Sequence, residues 1–181
     1  MNPQQCAQRP DGVWVCRECG FGYELALDAV IERLSGANPR ARQAAAKVAG
    51  RLDVSPAHGI WSPRQYLAHL TDWYEIIADR IERTLQSDRP LILSYDQDDL
   101  AVERAYDAWD VASTLVRFEA ATERAIVALR AGGRAGWDRI GVRDDLGETS
   151  VAMFANDLIH ELDHHLLDVT SGPVGRDDGK R

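Results

Sequence analysis

The sequence predicts an all-α protein that folds as an up-and-down bundle of four main helices. Long segments of the chain repeat apolar residues every three or four positions, which is typical of amphipathic helices. Alternation of apolar and polar residues, which would indicate strands, is not convincing in any segment. The chain has 181 residues and is 45% hydrophobic, enough to bury one core without disulfide support.

Two short helices are predicted before the first long one. Residues 24–34 show helical apolar spacing without a breaker, and an Ala- and Arg-rich segment follows at about residues 40–52. The sequence SGANP separates them, and the loop SPAHGIW comes next.

Ser62 is predicted to begin the first long helix. Its side chain can cap free amides, Pro63 suits the first helical position, and Gln65 can reach back to the cap. One apolar stripe then continues to about Leu85. The stripe consists of Tyr66, Leu70, Trp73, Ile77 and Ile81.

The second half of the chain is predicted to contain two further long helices. Residues 87–98, which include LILSY, are interpreted as an ordered crossover and not as a strand. A long helix is expected over about 100–131, ended by Gly132 and Gly133. Residues 137–147 are irregular, with a short extended piece at WDRIGV, and a last helix covers about 149–171.

The chain is therefore predicted to have three parts. Residues 1–22 form an N-terminal extension with a CxxC motif, residues 23–171 form the bundle, and residues 172–181 form a mobile tail with little to bury. No stretch approaches the roughly 20 apolar residues that cross a bilayer, and the first residues lack the apolar core of a signal peptide. We expect a cytoplasmic protein whose cysteines stay reduced.

The charge balance argues against nucleic acid as a partner. Acidic residues outnumber basic ones by 29 to 21, which gives a net charge of -8. The basic residues are scattered and form no run that could follow a phosphate backbone. Small molecules are the expected partners.

Histidines in two predicted helices form a candidate metal site. His160 and His164 lie four residues apart, so their side chains are about 6 Å apart along the axis and about 40° apart around it. His69, at the edge of the apolar stripe of the first long helix, is the natural third ligand, whereas His165 projects elsewhere and is the weaker candidate. Spacing alone leaves open that these are core or surface histidines without an ion.

The motif WSPRQYLAHLTD, followed by a long helix and then HELDHHLLD, resembles the DinB/YfiT-like family of metal-binding four-helix bundles. The resemblance covers about residues 24–171. It implies a divalent ion held by His69, His160 and His164, and pairing of two chains as a homodimer. The family includes bacterial S-transferases that use mycothiol, bacillithiol or glutathione, so the resemblance also implies a small thiol cofactor and an electrophilic substrate.

Three imidazoles leave a coordination position open, which is typical of catalytic zinc. Zinc is the expected ion, although nickel and iron also suit imidazole. A thiol bound there would make the protein a thiol S-transferase, the leading hypothesis, and a bound water would make it a metal-dependent hydrolase. A non-catalytic metal-binding helical scaffold is the third hypothesis. Asp72 is predicted to orient a ligand as a catalytic residue, against the alternative of a solvent-facing acid.

Cys16 and Cys19 stand in the segment CRECG, which has the form of a zinc knuckle. We predict that both bind metal, with Cys6 and His58 as further candidate ligands of a structural zinc. The alternative is a reduced pair packed against neighbouring aromatic residues. A thioredoxin-like role is less well supported, because no βαβ pattern surrounds the pair.

Overall fold

The computed structural model describes residues 6–171, and most of them are helical. The helices are α1 (Leu27–Ser35), α2 (Ala37–Lys47), α3 (Pro63–Gln86), α4 (Gln97–Glu103), α5 (Val111–Trp137) and α6 (Val151–Ser171). Five short strands accompany them, namely β1 (Cys6–Gln8), β2 (Trp14–Cys16), β3 (Leu91–Ile92), β4 (Ile140–Arg143) and β5 (Gly147–Ser150). The prediction of a mostly helical protein is confirmed, but a strictly all-α class is not, because of these strands.

Helix α3 packs against α5 and α6, and the pair α1 and α2 packs on the same two helices. These elements enclose one apolar core, in which each fully buried Leu, Ile or Phe stabilises the fold by roughly 1.5–3 kcal/mol. Tyr74 of α3 is fully buried there, and its hydroxyl donates a 2.8 Å hydrogen bond to the carbonyl of Leu158 in α6. The two helices that carry the candidate histidines are thus held directly against each other.

The predicted start of α3 is confirmed. The backbone N–H of Gln65 donates to the Ser62 hydroxyl, and the Gln65 side chain accepts from the backbone N–H of Ser62. Pro63 occupies the first helical position. Because these contacts satisfy amides that the helix itself leaves unpaired, they fix the first residue of the helix that carries His69.

The predicted single helix over 100–131 is wrong. The chain forms α4, then a short turn, and restarts as α5 at Val111, where the Asp110 side chain accepts from the Ser113 N–H at 2.9 Å. Ala105 in the turn has a left-handed φ of 49°, which a continuous helix does not permit. The predicted end is partly right, because the backbone leaves helical geometry at Gly133 before α5 closes at Trp137.

The strands form two small sheets. β1 and β2 make an antiparallel hairpin that sets Cys6 opposite Cys16. In the second sheet β4 lies between β3 and β5, parallel to β3 and antiparallel to β5. The predicted extended piece at WDRIGV is confirmed as β4, whereas the prediction that LILSY contains no strand is wrong for Leu91–Ile92. Ile92 is 1% exposed and packs in the core, whereas its neighbours Leu91 and Leu93 are exposed.

Residues 172–181, predicted to be a mobile tail, lie outside the described residues, as do residues 1–5. Within residues 6–171, no helix combines the length and the apolar character that crossing a membrane requires.

Replacing Ser62 by Ala tests the capping box. We expect Ser62→Ala to lower the free energy of unfolding by about 1 kcal/mol, because the backbone N–H of Gln65 in the first turn of α3 loses its acceptor. The midpoint of urea unfolding measures the change. Ser55→Ala, in the exposed loop before α3, is the matched control and should stay within about 0.5 kcal/mol of the parent chain. Equal midpoints for both variants would contradict the capping role.

Candidate metal centres

Helix α6 brings metal-binding side chains onto two adjacent faces. Four sets of described residues have ligand atoms within 4.8 Å of one another, and two of these sets share no residue with each other. We call His69, Glu161 and His165 the histidine–glutamate group. We call Cys16, Cys19, His160 and His164 the cysteine–histidine group.

Two further sets overlap with these groups. One joins His164 and His165 with Asp168, and the other joins Asp157 with His160 and Glu161. In both sets a carboxylate contacts the Nδ1 of a histidine that already belongs to one of the two groups. Asp168 and the Oε1 atom of Glu161 are therefore placed to orient histidines of the two groups.

The histidine–glutamate group converges on one carboxylate oxygen. Glu161 Oε2 lies 3.0 Å from His165 Nε2 and 3.6 Å from His69 Nε2. His69 is 1% exposed, and its Nε2 has no hydrogen-bond partner among residues 6–171. On the far side of His165, Nδ1 lies 2.8 Å from Asp168 Oδ2, which turns Nε2 toward Glu161. One carboxylate and two imidazoles thus face the same point.

The surroundings of the histidine–glutamate group favour a positive charge on His165 and a negative charge on Glu161. Burial favours neutral imidazole, yet Asp168 and Glu161 raise the pKa of His165 to about 9. Burial opposes ionisation of Glu161, but hydrogen bonds from the surrounding histidines hold its pKa well below the ordinary value. Burial lowers the pKa of His69. Because a cation would have to displace the proton from His165, its binding should strengthen as pH rises toward 9.

Aromatic side chains enclose the histidine–glutamate group. The ring centroid of Trp61 lies 5.0 Å from that of His69, and Tyr66 lies 5.3 Å from His165. A cavity of about 60 Å³ reaches His165 between these rings. Its lining consists of Gly59, Trp61, Tyr66, Gln97, Asp98 and His165. His165 is therefore the member of the group that borders this cavity, together with the loop before α3 and the start of α4.

The cysteine–histidine group lies where the β1–β2 hairpin meets α6. Cys16 and His160 are buried, and Cys19 and His164 are half-buried. Burial alone would raise the pKa of Cys19, but His160, His164 and the Phe21 amide lower it to about 5. Burial opposes protonation of His160, but Cys19, Glu161 and Cys16 together raise its pKa to about 11. Thiols and imidazoles are in direct electrostatic contact here.

The predicted site of three histidines stays a prediction, because the structure divides these histidines between two candidate groups. His69, His160 and His164 all belong to candidate groups, but His69 pairs with Glu161 and His165, while His160 and His164 face the cysteines. The physical reason is the direction of the side chains on α6. Glu161 and His165 lie on the face toward α3, and the N-terminal hairpin covers the face of His160 and His164.

The cysteine–histidine group places Cys16 and Cys19 beside other candidate ligands than the sequence predicted. Cys16 and Cys19 lie together, but their partners are the histidines of α6. Cys6 is buried opposite Cys16 without belonging to the group, and His58 is exposed in its loop. The sequence did not single out Glu161 as a candidate ligand, and it placed His165 behind the other histidines. A signal existed, because His165 is seven residues after Leu158 and so points within about 20° of it, into the apolar face.

Asp72 does not belong to either group, and its predicted catalytic role stays a prediction. It is 1% exposed, and its two oxygens accept hydrogen bonds of 2.6 Å from Arg104 and from the Tyr106 hydroxyl. The Tyr106 ring lies 6.2 Å from Trp61, which in turn contacts His69. Asp72 therefore supports the aromatic wall of the histidine–glutamate group through Tyr106.

Replacing Asp168 by Asn tests its role as the partner that orients His165. Since removal of such a partner typically costs 10–100-fold in metal affinity, we expect a loss of about that size at the histidine–glutamate group. Competition with a chelator measures the affinity. Asp163→Asn is the matched control on the same helix, because Asp163 binds Arg33 and Arg40 instead. Equal affinities for both variants would contradict the orienting role.

Replacing Asp72 by Asn separates a supporting role from a role in catalysis. We expect Asp72→Asn to lower the free energy of unfolding by about 1–2 kcal/mol, because it weakens hydrogen bonds to Tyr106 and to the half-exposed Arg104. Urea unfolding measures the loss, and Asp79→Asn on the exposed side of α3 should change it by less than about 0.5 kcal/mol. Unchanged stability of Asp72→Asn with lost turnover would instead support the catalytic prediction.

Comparison with known proteins agrees with this architecture. The solved structure of YfiT from Bacillus subtilis superposes with a TM-score of 0.75 at 20% sequence identity, covering 82% of this chain and 87% of that one. That protein is described as a probable metal-dependent hydrolase with an unusual four-helix bundle topology, and the likeness shows a shared fold. The search of curated proteins finds no match. The sequence pattern of the DinB superfamily matches residues 3–169, so the chain belongs to the DinB superfamily.

Proposed function

We propose that this chain is a metal-dependent enzyme that uses the histidine–glutamate group and transfers a small thiol to an electrophilic molecule. The observation that carries the proposal is the convergence of His69, Glu161 and His165 beside a cavity. Two imidazoles and one carboxylate supply three ligands, which leaves a coordination position for a reactant. The proposal extends the resemblance to thiol-dependent S-transferases, with a different ligand set from the expected three histidines.

The residues present fit a divalent cation. A buried polar atom without a partner costs roughly 1–3 kcal/mol, and His69 Nε2 is such an atom among the described residues. It lies 3.6 Å from Glu161 Oε2, so His69 and Glu161 are residues that would hold a divalent cation. Nitrogen and carboxylate donors suit zinc, nickel and iron, and zinc is the first expectation.

The chain's own residues would hold and shield the reactants. An ion at this group would stabilise the thiolate form of a thiol that occupies the open position. Asp168 keeps the His165 ring in place, and Trp61 and Tyr66 limit the access of water. A cavity of about 60 Å³ admits the reacting end of a thiol, so the body of the molecule must lie outside, near Gln97 and Asp98.

The proposed thiol transfer needs only the thiol and the electrophilic substrate as reactants. The thiol loses its S–H proton to solvent, the sulfur forms a bond to the electrophilic carbon, and a leaving group departs with the electron pair of the broken bond. Glu161 carries a negative charge beside the proposed reaction site, because its pKa is well below the ordinary value. This charge would favour binding of a cation there and, in the absence of the cation, would disfavour an anionic substrate.

Hydrolysis is the second candidate function. The description of YfiT as a probable metal-dependent hydrolase favours it, and the small cavity also suits water as the nucleophile. The same three residues would serve both reactions. Only the identity of the nucleophile separates them, so a requirement for the thiol is the decisive measurement.

Turnover by the full chain tests the proposal. The protein is loaded with zinc, nickel or iron and assayed with glutathione or a mycothiol analogue and a chlorodinitrobenzene electrophile. We expect thiol-dependent turnover, which His69→Ala and Glu161→Gln each reduce at least 100-fold, because a direct ligand matters more than an orienting partner worth 10–100-fold. His58→Ala, in the exposed loop, should retain full turnover.

The remaining outcomes distinguish the other hypotheses. Turnover of ester or amide substrates that needs metal but no thiol would favour the hydrolase and contradict thiol transfer. A third outcome is that metal binds and raises the melting temperature, but that no substrate is turned over with or without thiol. This outcome would contradict an enzymatic role and favour the metal-binding scaffold.

A further inference from the structure

We propose that Cys16, Cys19, His160 and His164 form a second metal site, a structural zinc site that fastens the N-terminal hairpin to α6. Two sulfur and two nitrogen donors are the ligand set of closed, four-coordinate zinc. This site is separate from the histidine–glutamate group and does not depend on the proposed reaction.

The ligand atoms are already close to the required geometry. All four lie within 4.8 Å of one another. Around a tetrahedral zinc with bonds of 2.0–2.3 Å, neighbouring ligand atoms are about 3.3–3.8 Å apart. A contraction of about 1.5 Å or less therefore completes the site. Side-chain rotations of Cys19 and His164 at the half-buried edge can supply it.

The unused nitrogens of the two histidines identify the ligand atoms. His160 Nδ1 lies 3.1 Å from Glu161 Oε1, and His164 Nε2 lies 3.2 Å from Glu18 Oε2. The opposite nitrogens, His160 Nε2 and His164 Nδ1, are buried and have no hydrogen-bond partner among residues 6–171. Each ring thus has one nitrogen held by a carboxylate and the other free for a metal, the usual arrangement around zinc-bound histidine.

The loop that carries the cysteines has the backbone of a metal-binding turn. Cys16 ends β2, and the N–H of Gly20 donates to its carbonyl at 3.0 Å. Gly20 has a φ of +73°, a left-handed conformation that glycine adopts without strain. This turn reverses the chain directly after Cys19, so both thiols face the same side, toward α6.

The hairpin needs an anchor of this kind. Its two strands have three residues each, and an isolated pair of such short strands is not stable in water. The rings of Phe21 and Tyr23 pack 5.6 Å and 5.4 Å from His160, which brings the following segment onto the same face of α6. A zinc ion would add a strong link at this point, because metal binding free energy becomes folding free energy.

Metal content of the full chain tests the proposal. Protein purified after zinc supplementation should contain two equivalents of zinc, and Cys19→Ser and His164→Ala should each contain one. Cys6→Ser is the matched control, because Cys6 is a buried cysteine of the same hairpin outside the group. His58→Ala is the matched histidine control, and both controls should keep two equivalents.

Cobalt substitution gives a second measurement that does not rely on stoichiometry. Cobalt bound by thiolates shows intense near-ultraviolet charge-transfer absorption. We expect this absorption in the parent chain, in Cys6→Ser and in His69→Ala, and its loss in the double variant Cys16→Ser, Cys19→Ser. Circular dichroism should show that the helices of the double variant remain, because the apolar core does not include the cysteine–histidine group.

The outcomes separate this proposal from the proposed function. One equivalent of metal with the cobalt–thiolate absorption supports the structural zinc site and contradicts the enzymatic metal site. Absence of that absorption in the parent chain, or two equivalents in Cys19→Ser, overturns the structural zinc site. A disulfide between Cys16 and Cys19 in protein purified without oxidant, detected by mass spectrometry, overturns it as well.

Discussion

The carboxylate of Glu161 contacts histidines of both candidate metal groups, and the arrangement of these groups depends on it. Glu161 contacts His160 through Oε1 and approaches both His165 and His69 through Oε2, in a setting where its side chain is only 15% exposed. A buried negative charge is costly unless it is paired, so the three surrounding imidazoles are a condition for its presence in α6. Because its two oxygens face different groups, Glu161 links a candidate reactive site to a candidate structural one.

The two groups differ in their number of donor atoms and in whether they border a cavity. The cysteine–histidine group has four ligands and lies between a hairpin and a helix, so a bound ion would be saturated. The histidine–glutamate group has three and borders a cavity. Saturated zinc sites stabilise structure and unsaturated ones support reactions, so the number of donors is the basis for proposing different tasks for the two groups.

The bundle supplies the rigidity that both groups need. The Ser62 capping box fixes where α3 begins, the Tyr74 hydroxyl ties α3 to α6, and Asp72 holds the turn that carries Tyr106 and, through it, the wall formed by Trp61. Ligands on packed helices are positioned more accurately than ligands on loops. The loop before α3 and the first residues of α4 line the cavity beside His165.

The sequence by itself determined the helical character of the chain, the first residue of α3, the extent of α6 and the residue types that could bind metal. Those features depend on local spacing and capping, which neighbouring residues decide. Tertiary structure alone decided that α4 and α5 are separate and which histidine serves which group. Successive residues on a helix point about 100° apart, so His164 and His165 meet different partners. Only the packing of α3 on one face of α6 and of the N-terminal hairpin on the other assigns those partners.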